Sequence, residues 1–478
     1  MDIRYYLKNN FIVLDGGMGT LLQAKGLKPG EKPEGWNITH PEVIQGIHRA
    51  YFDAGSNVVN TNTFGANILK FPEDELELII KKAIENAKAA RERSVSGKEK
   101  FISLDIGPTG RLLKPYGDLD FEDAVNIFKQ TVRLGVKYGV DLITIETMSD
   151  GYETKAAVIA AKEESELPIF VTNAYSECGK LLTGATPSAL TAILEGLGVD
   201  AIGVNCSFGP RQLTPIVDEI LSVSSLPVIM KPNAGLPVCG KDGRVSYDVT
   251  PEQFSAEVSR AVDKGVRVVG GCCGTTDEHI ELLSKALNGR SVSGISEKDR
   301  SVATSATRVL ELSGKALTVG RSLDATSNEE FRNALADGDM YFIQDAALDD
   351  QDNGADIIYI SVGSDGQLSE AVNEAQTVTS VPLMIESRDI TALEKAVRRY
   401  NGKPIVCHRY GSGGLEDVLN ISRKYGCVVA VMADECDITP ESISSAIRYA
   451  SECGVSAKDI VFFESEAKEK FETVKFLQ

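Results

Sequence analysis

Short apolar runs alternate with longer segments of helical periodicity over the first 290 residues. Residues 73–93 and 121–138, for example, carry apolar side chains at intervals of three and four, which predicts amphipathic helices. Eight strand-like runs lie between such segments, at residues 11–15, 57–61, 101–105, 141–146, 168–173, 201–205, 227–231 and 265–269. Strands that are apolar on both faces and alternate with helices are typical of a parallel sheet covered by helices. Eight such units predict an α/β protein with an N-terminal (β/α)₈ TIM barrel.

The second half of the chain repeats the alternation with fewer units. Six further strand-like runs lie at residues 316–319, 356–360, 381–385, 404–407, 427–432 and 459–463. A polar, serine-rich stretch separates the halves. We therefore predict a barrel domain at 1–290, a linker at 291–310 and an incomplete, about six-stranded parallel β/α domain at 311–478. Six units leave two strand edges that need cover or pairing, so the pattern weakly favours a homodimer.

Composition and charge narrow the class of protein and its partners. The chain has 478 residues, of which 42% are hydrophobic and 25% are charged, as in an ordinary soluble globular protein. The start of the chain carries no export signal, and no apolar run approaches the roughly 20 residues of a membrane helix. We therefore expect a cytoplasmic protein with reduced cysteines. A formal net charge of -19 argues against nucleic acid and anionic membranes as partners.

Three cysteines stand at the ends of predicted strands. Cys272 and Cys273 follow the eighth strand between glycines, and Cys206 follows the sixth. The carboxyl ends of barrel strands meet at one rim, so the three thiols should converge there. Three thiolates can hold Zn²⁺ with the fourth position open for a substrate. The alternative is three buried small side chains without a metal, which the spacing alone does not exclude.

Six motifs at the strand ends are identified as those of the homocysteine S-methyltransferase family. This family includes the homocysteine domain of cobalamin-dependent methionine synthase and relatives that use betaine or S-methylmethionine. The motifs occur at residues 15–20, 60–64, 146–147, 203–207, 231–235 and 270–275. The resemblance implies a zinc-dependent transferase that methylates homocysteine to methionine, an activity of methionine biosynthesis. It assigns Cys206, Cys272 and Cys273 as the zinc ligands and, with Glu146, as the catalytic residues.

The same resemblance implies roles for the other residues at this rim. Glu146 would bind the ammonium of homocysteine; the alternative is a rim carboxylate paired with a nearby Lys. The backbone N–H groups of the glycine-rich loop would cradle the carboxylate of homocysteine. Asn205 and Asn233 would hold the metal ligands, or supply an oxygen to the open position. The predicted substrate-binding residues are thus Asp15, Gly16, Gly17, Met18, Gly19, Thr20, Asn62, Glu146, Asn205 and Asn233.

The second half resembles the pterin-binding (folate) domain that follows the homocysteine domain in methionine synthase. The stretches that would contact a pterin are altered: residues 319–324, 359–362 and 407–409 lack the polar groups expected there. Unpaired polar atoms in a binding site cost roughly 1–3 kcal/mol each, so we expect no folate binding. The residues contain no cobalamin-binding segment, so a methylcobalamin donor is expected on a separate corrinoid protein.

Other functions remain open at this point. The donor could be S-methylmethionine, betaine or another small methyl compound, and the acceptor could be another thiol. A different class of function is an inactive scaffold or a docking module for a corrinoid protein. Intact Cys206, Cys272, Cys273 and Glu146 favour the enzyme.

Overall fold

The structure is a computed structural model that describes residues 1–239, 245–362, 367–433, 438–464 and 470–477. The chain divides into two compact units by its contacts. One comprises Met1–Thr183 and Val199–Glu297, and the other comprises Gly184–Gly198 and Lys298–Gln478. The short internal segment Gly184–Gly198 therefore belongs to the second unit. The sequence predicted a single boundary near residue 290 and did not predict this segment's assignment. No helix among the described residues is long and apolar enough to cross a membrane.

The first unit is built on eight parallel strands in a closed ring. The strands of this half are β1 (Ile12–Val13), β2 (Val58–Asn60), β3 (Phe101–Ile106), β4 (Leu142–Met148), β5 (Ile169–Asn173), β6 (Ala201–Asn205), β7 (Val228–Lys231), β8 (Pro237–Cys239), β9 (Val245–Tyr247) and β10 (Val268–Val269). The sheet runs β1-β10-β7-β6-β5-β4-β3-β2, and a parallel bridge between Leu14 and Val58 joins its ends. Strands β8 and β9 form a separate antiparallel hairpin. The predicted TIM barrel is confirmed.

Helices lie between the strands, as the periodicity predicts. They are α1 (Ile3–Asn9), α2 (Met18–Ala24), α3 (Trp36–Thr39), α4 (Pro41–Ala54), α5 (Glu73–Arg93), α6 (Phe121–Tyr138), α7 (Gly151–Glu164), α8 (Pro187–Gly196), α9 (Pro210–Val223), α10 (Pro251–Lys264) and α11 (Asp277–Leu287). Helix α10 shows how local sequence sets the ends of a helix. Thr250 and Gln253 form a capping box at its start, and Gly265 follows its last residue. Helix α8 lies within Gly184–Gly198, the internal segment that belongs to the second unit.

A layer of apolar side chains fills the barrel at the amino ends of its strands. Each strand contributes to this layer, and Ile3 and Leu7 of α1 pack against it. The layer comprises Ile12, Leu14, Val58, Phe101, Leu142, Phe170, Ala201, Ile229 and Val268. Because this end is packed with apolar residues, polar chemistry is confined to the opposite, carboxyl end.

The main sheet of the second unit contains all six predicted parallel strands and a seventh strand. Its strands are β11 (Val302–Thr304), β12 (Val309–Glu311), β13 (Ala316–Asp324), β14 (Ile357–Ser361), β15 (Leu383–Glu386), β16 (Ile405–Arg409), β17 (Val428–Ala433), β18 (Ile460–Glu464) and β19 (Phe471–Lys475). Its helices are α12 (Glu329–Asp337), α13 (Met340–Asp352), α14 (Leu368–Val378), α15 (Ile390–Arg399), α16 (Leu415–Tyr425) and α17 (Pro440–Glu452). The main sheet runs β18-β17-β16-β15-β14-β13-β19.

The last strand closes this second sheet. Strand β19 pairs antiparallel with β13, and Leu477 exchanges two backbone hydrogen bonds with Phe462 of β18, at 2.7 and 2.8 Å. The expectation of two unpaired edges is therefore wrong, because the chain supplies its own closing strand. The reason for an edge-to-edge homodimer disappears with those edges.

The predicted linker also contains regular structure. Strands β11 and β12 form an antiparallel hairpin, and Thr304 bridges to Lys403 in the second unit. Residues 291–310 are thus partly a folded element. The serine-rich composition predicted a linker, but Ala303 and Leu310 are buried in the core of the second unit. Tertiary burial overrides the local composition here.

Candidate functional site

A cavity of about 300 Å³ lies at the carboxyl ends of the barrel strands of the first unit. Its walls are Asp15, Gly16, Gly17, Met18, Gly19, Thr20, Pro33, Glu34, Asn60, Thr61, Asn62, Phe64, Asp105, Glu146, Thr147, Cys206, Lys231, Cys272 and Cys273. The chain therefore brings together the glycine-rich loop, Asn62, Glu146 and the three cysteines, all predicted from sequence. Asn205 and Asn233 lie behind this wall, 0% and 4% exposed.

The three cysteine sulfurs form one cluster. Their Sγ atoms all lie within 4.8 Å of one another, and this is the only group with metal-ligand geometry among the described His, Cys, Asp and Glu residues. Three ligands of a tetrahedral zinc site, with Zn–S bonds of about 2.3 Å, lie about 3.8 Å apart. The cluster is compatible with that spacing, and the donor set is one that zinc prefers.

Ionisation within the cluster is uneven because the thiols are so close. Hydrogen bonds with Cys272 and Cys273 lower the pKa of Cys206 to about 3. The hydrogen bond with Cys206 raises the pKa of Cys272 well above its ordinary value and that of Cys273 to about 11. Without a cation the cluster thus favours one thiolate and two thiols. A divalent cation is the partner that would allow all three to ionise.

Two asparagines hold the loops that carry the sulfurs. The Asn205 amide accepts a hydrogen bond from the Thr147 backbone N–H, at 2.8 Å, and donates to Thr147 Oγ1, at 2.7 Å. It also donates to Cys272 Sγ, at 3.8 Å. Asn233 Oδ1 accepts from the Cys273 backbone N–H, at 3.0 Å. Both side chains therefore link a strand end to the sulfur cluster, as outer groups of a metal site do.

The backbone is strained beside the cluster. Thr147, Cys206 and Ser207 have φ angles of 60°, 59° and 58°, and they are the non-glycine residues with positive φ in the described part of the chain. Such conformations cost on the order of 1–3 kcal/mol each and persist where the surroundings enforce them. One of these strained residues, Cys206, follows the end of β6 and carries a sulfur of the cluster.

The glycine-rich loop packs directly onto the cysteine loop. A Cβ at Gly17 would lie 2.8 Å from the Cys272 carbonyl oxygen, so only glycine fits there. The Gly17 N–H donates to Thr275 Oγ1, at 3.1 Å, and is not free for a ligand. Helix α2 begins at Met18 without a side-chain cap. Asp15 joins this loop to β2 by accepting from the Asn60 N–H, at 2.8 Å.

Asn62 lines the cavity, but its amide is committed elsewhere. Its Nδ2 donates to the Pro33 backbone carbonyl, at 2.8 Å. The backbone carbonyl of Asn62 accepts a hydrogen bond from Asn37 Nδ2. The side chain therefore fastens the Pro33 segment to the end of β2. This position suits a residue that shapes the cavity wall.

Glu146 forms a buried ion pair with a lysine, the pairing that the sequence left open as the alternative to ammonium binding. Its Oε2 accepts from Lys231 Nζ, at 2.6 Å, and from Asn60 Nδ2, at 3.0 Å. Lys231 Nζ also lies 3.6 Å from Asp15 Oδ1. Burial opposes the charge of Lys231, but the carboxylates of Glu146 and Asp15 raise its pKa well above the ordinary value. Lys231 is therefore a fixed cation.

Asp105 and Tyr247 are further site residues that sequence reasoning missed. Asp105 lines the cavity at the end of β3. Its pKa is raised well above the usual range, mainly by burial and secondly by the nearby Glu146 carboxylate. Burial and then the thiolates of the cluster raise the pKa of Tyr247 to about 12. The available signal for Asp105 and Lys231 was their position as the last residues of predicted strands. Tyr247 gave no such signal.

The fold and the site together define a TIM-barrel protein with three sulfurs and buried carboxylates at the carboxyl end of its barrel, where the active sites of this fold lie. Residues 12–287 match the family model described as homocysteine S-methyltransferase. This match covers more than half of the chain. The chain belongs to the homocysteine S-methyltransferase family.

Relatives extend the likeness beyond the barrel. The chain is 27% identical to the methionine synthase of Mycobacterium leprae over 436 residues, and 28% identical to that of Mycobacterium tuberculosis over 431. These matches cover 85% and 84% of this chain, more than the family model does, so they reach into the second unit. They cover 36% of each relative, so the chain spans about a third of the length of these synthases.

Solved structures share the fold. The metallated form of the homocysteine methyltransferase MmuM from Escherichia coli matches with a TM-score of 0.51 and 22% identity, over 59% of this chain and 99% of that one. The oxidized form of the same enzyme matches with a TM-score of 0.50, over 57% and 95%. At this identity the likeness establishes the fold alone.

Proposed function

We propose that this chain methylates the sulfur of homocysteine to form methionine, with zinc held by Cys206, Cys272 and Cys273. The observation that carries the proposal is the convergence of three sulfurs within 4.8 Å beside a cavity large enough for a small amino acid. Family membership supports the reaction, and the donor set of three thiolates supports the metal.

The chemistry assigns a role to each group. Zinc bound by the three thiolates would act as a Lewis acid that favours the deprotonated form of the acceptor thiol. Asn205 and Asn233 would keep the sulfurs in place, and the loop at 16–20 would face the acceptor's carboxylate. In the transfer itself the acceptor sulfur supplies the electron pair of the new S–C bond. The bond between the methyl group and its donor breaks, and that electron pair remains on the donor.

We also propose that the methyl group arrives on a methyl-corrinoid carried by a separate protein. The similarity to methionine synthase in both halves supports a corrinoid donor over betaine or S-methylmethionine.

The second unit, in this proposal, does not bind folate. Arg321 donates to Asp324, at 2.7 Å, and to Glu472, at 3.0 Å, and its guanidinium lies 4.1 Å from the centre of the Tyr359 ring. The Tyr359 hydroxyl donates to Glu386. The polar side chains that could meet a pterin are thus paired with one another. We propose a structural or docking role for this unit.

The test presents purified, zinc-loaded protein with homocysteine and one donor at a time. The donors are a methylated corrinoid protein, free methylcobalamin, methyltetrahydrofolate, betaine and S-methylmethionine. We expect methionine from the corrinoid donors, loss of activity on removal of zinc, and recovery when zinc is returned. Full turnover by metal-free protein would overturn the zinc assignment. Methionine from methyltetrahydrofolate alone would overturn the interpretation of the second unit.

A further inference from the structure

A second cavity of the first unit, of about 420 Å³, lies at the amino ends of β1 and β10. Ile12 and Val268 of these strands belong to the apolar layer inside the barrel. Successive side chains of a strand point to opposite faces, so Phe11 and Arg267, which precede them, point outward. Both line this amino-end cavity, together with the end of α10 and residues of the segment 289–295. The amino-end cavity therefore lies outside the apolar layer, at the opposite end of the barrel from the sulfur cluster.

Arg267 is a buried cation in the wall of the amino-end cavity, and it has no carboxylate partner among the described residues. It is 4% exposed, and burial lowers its pKa with no neighbouring charge to offset the effect. Its Nη1 donates to the Ser293 carbonyl, at 3.0 Å, and its Nη2 donates to the Lys8 carbonyl, at 3.5 Å. Its Nε has no hydrogen-bond partner. A guanidinium carries more N–H donors than these two bonds use.

Three other buried cations show how this protein compensates such a charge. Lys231, Arg321 and Lys403 are 3%, 6% and 3% exposed. In each case a carboxylate oxygen lies 2.6 or 2.7 Å from the cationic nitrogen. A buried charge without a partner is strongly unfavourable. Arg267 lies beside an open cavity instead, so an anion that enters the cavity would supply the missing charge.

The polar groups of the cavity wall suit a phosphate group. Arg290 is a second cation, which donates to Asp263 at 2.7 Å and has a side chain that is 34% exposed. Ser291 and Ser293 also line the cavity, and their hydroxyls donate to no described residue. Guanidinium and hydroxyl donors on several sides match the tetrahedral oxygens of a phosphate better than the planar pair of a carboxylate.

The amino-end cavity also has room and apolar surface for more than a phosphate. Phe11, Val266 and Ile295 lie in its wall. Its volume of about 420 Å³ is within the range of about 300–1,000 Å³ that is usual for small-molecule sites. An organic group attached to the phosphate would cover these apolar side chains, which is favourable because it removes apolar surface from water.

We propose that the amino-end cavity binds the phosphate monoester of a small organic molecule. Arg267 is the buried partner of the phosphate, and Arg290 and the two serines complete the polar side. Phe11 and Ile295 contact the organic part. A phosphate at neutral pH carries about −1.5 to −2 charges, enough to compensate Arg267. The site shares no wall residue with the cavity at the sulfur cluster, so it is independent of the proposed methyl transfer.

The experiment titrates the purified full-length protein with phenyl phosphate, inorganic phosphate and benzoate in turn, followed by calorimetry. We expect wild type to bind one phenyl phosphate per chain, more tightly than either of the other probes. Arg267→Met should weaken the binding of phenyl phosphate by about 10- to 100-fold, the range for hydrogen bonds to a charged group. Arg290→Gln should weaken it by about two- to fivefold, because an exposed charge contributes less than a buried one.

The matched control is Arg211→Gln, which removes the same charge from an exposed arginine that pairs with Glu257 outside the cavity. It should bind phenyl phosphate as wild type does. Absence of phenyl phosphate binding by wild type would overturn the proposal, as would equal affinity of Arg267→Met and wild type. Equal losses in Arg267→Met and Arg211→Gln would overturn it too, because the overall charge would then explain the binding.

The other two probes decide the class of ligand. Tighter binding of benzoate than of phenyl phosphate would show a carboxylate site and contradict the proposed phosphate. Inorganic phosphate that binds as tightly as phenyl phosphate would show a site for the free ion and contradict the proposed organic part.

Arg267→Met is suited to the test because it should fold. It replaces a buried charge that has no carboxylate partner by an apolar side chain. We expect its thermal midpoint to be close to that of wild type, so that a loss of phenyl phosphate binding is separated from a loss of folding. If the variant does not fold, Arg290→Gln decides the question, because Arg290 is partly exposed at the surface. Wild-type affinity for phenyl phosphate in Arg290→Gln would then overturn the proposal.

Discussion

The Lys231 ammonium and the Glu146 carboxylate form a buried ion pair 2.6 Å long between the ends of β7 and β4. The two residues are 85 positions apart in the chain. Their pairing affects the charge of the cavity, because it neutralises one of the four carboxylates in its wall. It also ties together two strands that are not neighbours in the sheet.

Removing the cation should destabilise the first unit. Lys231→Met leaves the Glu146 charge buried without compensation, which costs about 3–5 kcal/mol in other buried pairs. We expect a lower thermal midpoint for Lys231→Met, measured by calorimetry. Lys137→Met is the control, since Lys137 pairs with Glu77 at the surface and its loss should have little effect. Equal midpoints for the two variants would contradict a stabilising role for the pair.

Each cysteine of the cluster should be required for metal retention. Cys206→Ala, Cys272→Ala and Cys273→Ala each leave two thiolates, so zinc affinity should fall by more than the roughly 100-fold that follows loss of an outer-shell group. Zinc content after dialysis against a weak chelator measures this. Cys178→Ala is the control, because Cys178 is exposed and lies outside the cluster. Zinc retained at one per chain by all three variants would refute the assigned ligand set.

The stability of the metal-free protein should depend on the ionisation of Asp15. Burial raises the pKa of this carboxyl from 3.8 to about 6, although Lys231 opposes the shift. A raised pKa in the folded state favours folding below the unfolded value, and this contribution disappears as the pH rises from about 4 to about 6. The loss amounts to about 3 kcal/mol at 1.36 kcal/mol per pKa unit.

The substitution Asp15→Asn tests this pH dependence. It retains an oxygen that can accept from the Asn60 N–H, but it does not titrate. The thermal midpoint of wild type, relative to Asp15→Asn, should fall between pH 4 and pH 6 and level off above. Parallel curves for the two proteins across that window would show that Asp15 titrates at its ordinary value.

The closing strand of the second unit should contribute strongly to its stability. Phe476 is 2% exposed and its ring centre lies 5.4 Å from that of Phe463. Phe476→Ala should cost about 3–5 kcal/mol, the range for truncation of a buried phenylalanine. Leu477→Ala keeps the backbone bonds to Phe462 and removes a side chain that is 38% exposed, so it should cost much less.

This difference is measured by monitoring aggregation during thermal unfolding of the two variants. Loss of the closing strand exposes the edges of β13 and β18, which invites pairing between chains. We expect Phe476→Ala to aggregate at lower temperature than Leu477→Ala. Identical behaviour of the two variants would mean that the last strand is dispensable for the second unit.

The sequence determined the strands, their alternation with helices and the meeting of Cys206, Cys272 and Cys273. The reason is local: continuous apolar runs and helical periodicity are read from neighbours in the chain, and parallel strands place all their carboxyl ends at one rim. Sequence also located the glycine-rich loop and Glu146 at that rim, where the cavity is found.

The last strand of the second unit escaped sequence reasoning because it is short and antiparallel. Exposed and buried positions alternate only over residues 473–477, a pattern too brief to separate from a loop. Its place depends on β13 and β18, which are distant in sequence.

Tertiary structure alone decided which charges pair within the cavity. Lys231, Glu146, Asp15 and Asp105 are all the last residues of predicted strands, and from sequence any of the three carboxylates could have paired with the lysine. Side-chain direction and distance place the Lys231 ammonium against Glu146, and Asp105 Oδ1 has no hydrogen-bond partner. Such choices depend on ångström-scale differences between residues far apart in the chain, because the energy of a buried charge changes steeply with distance and with loss of water.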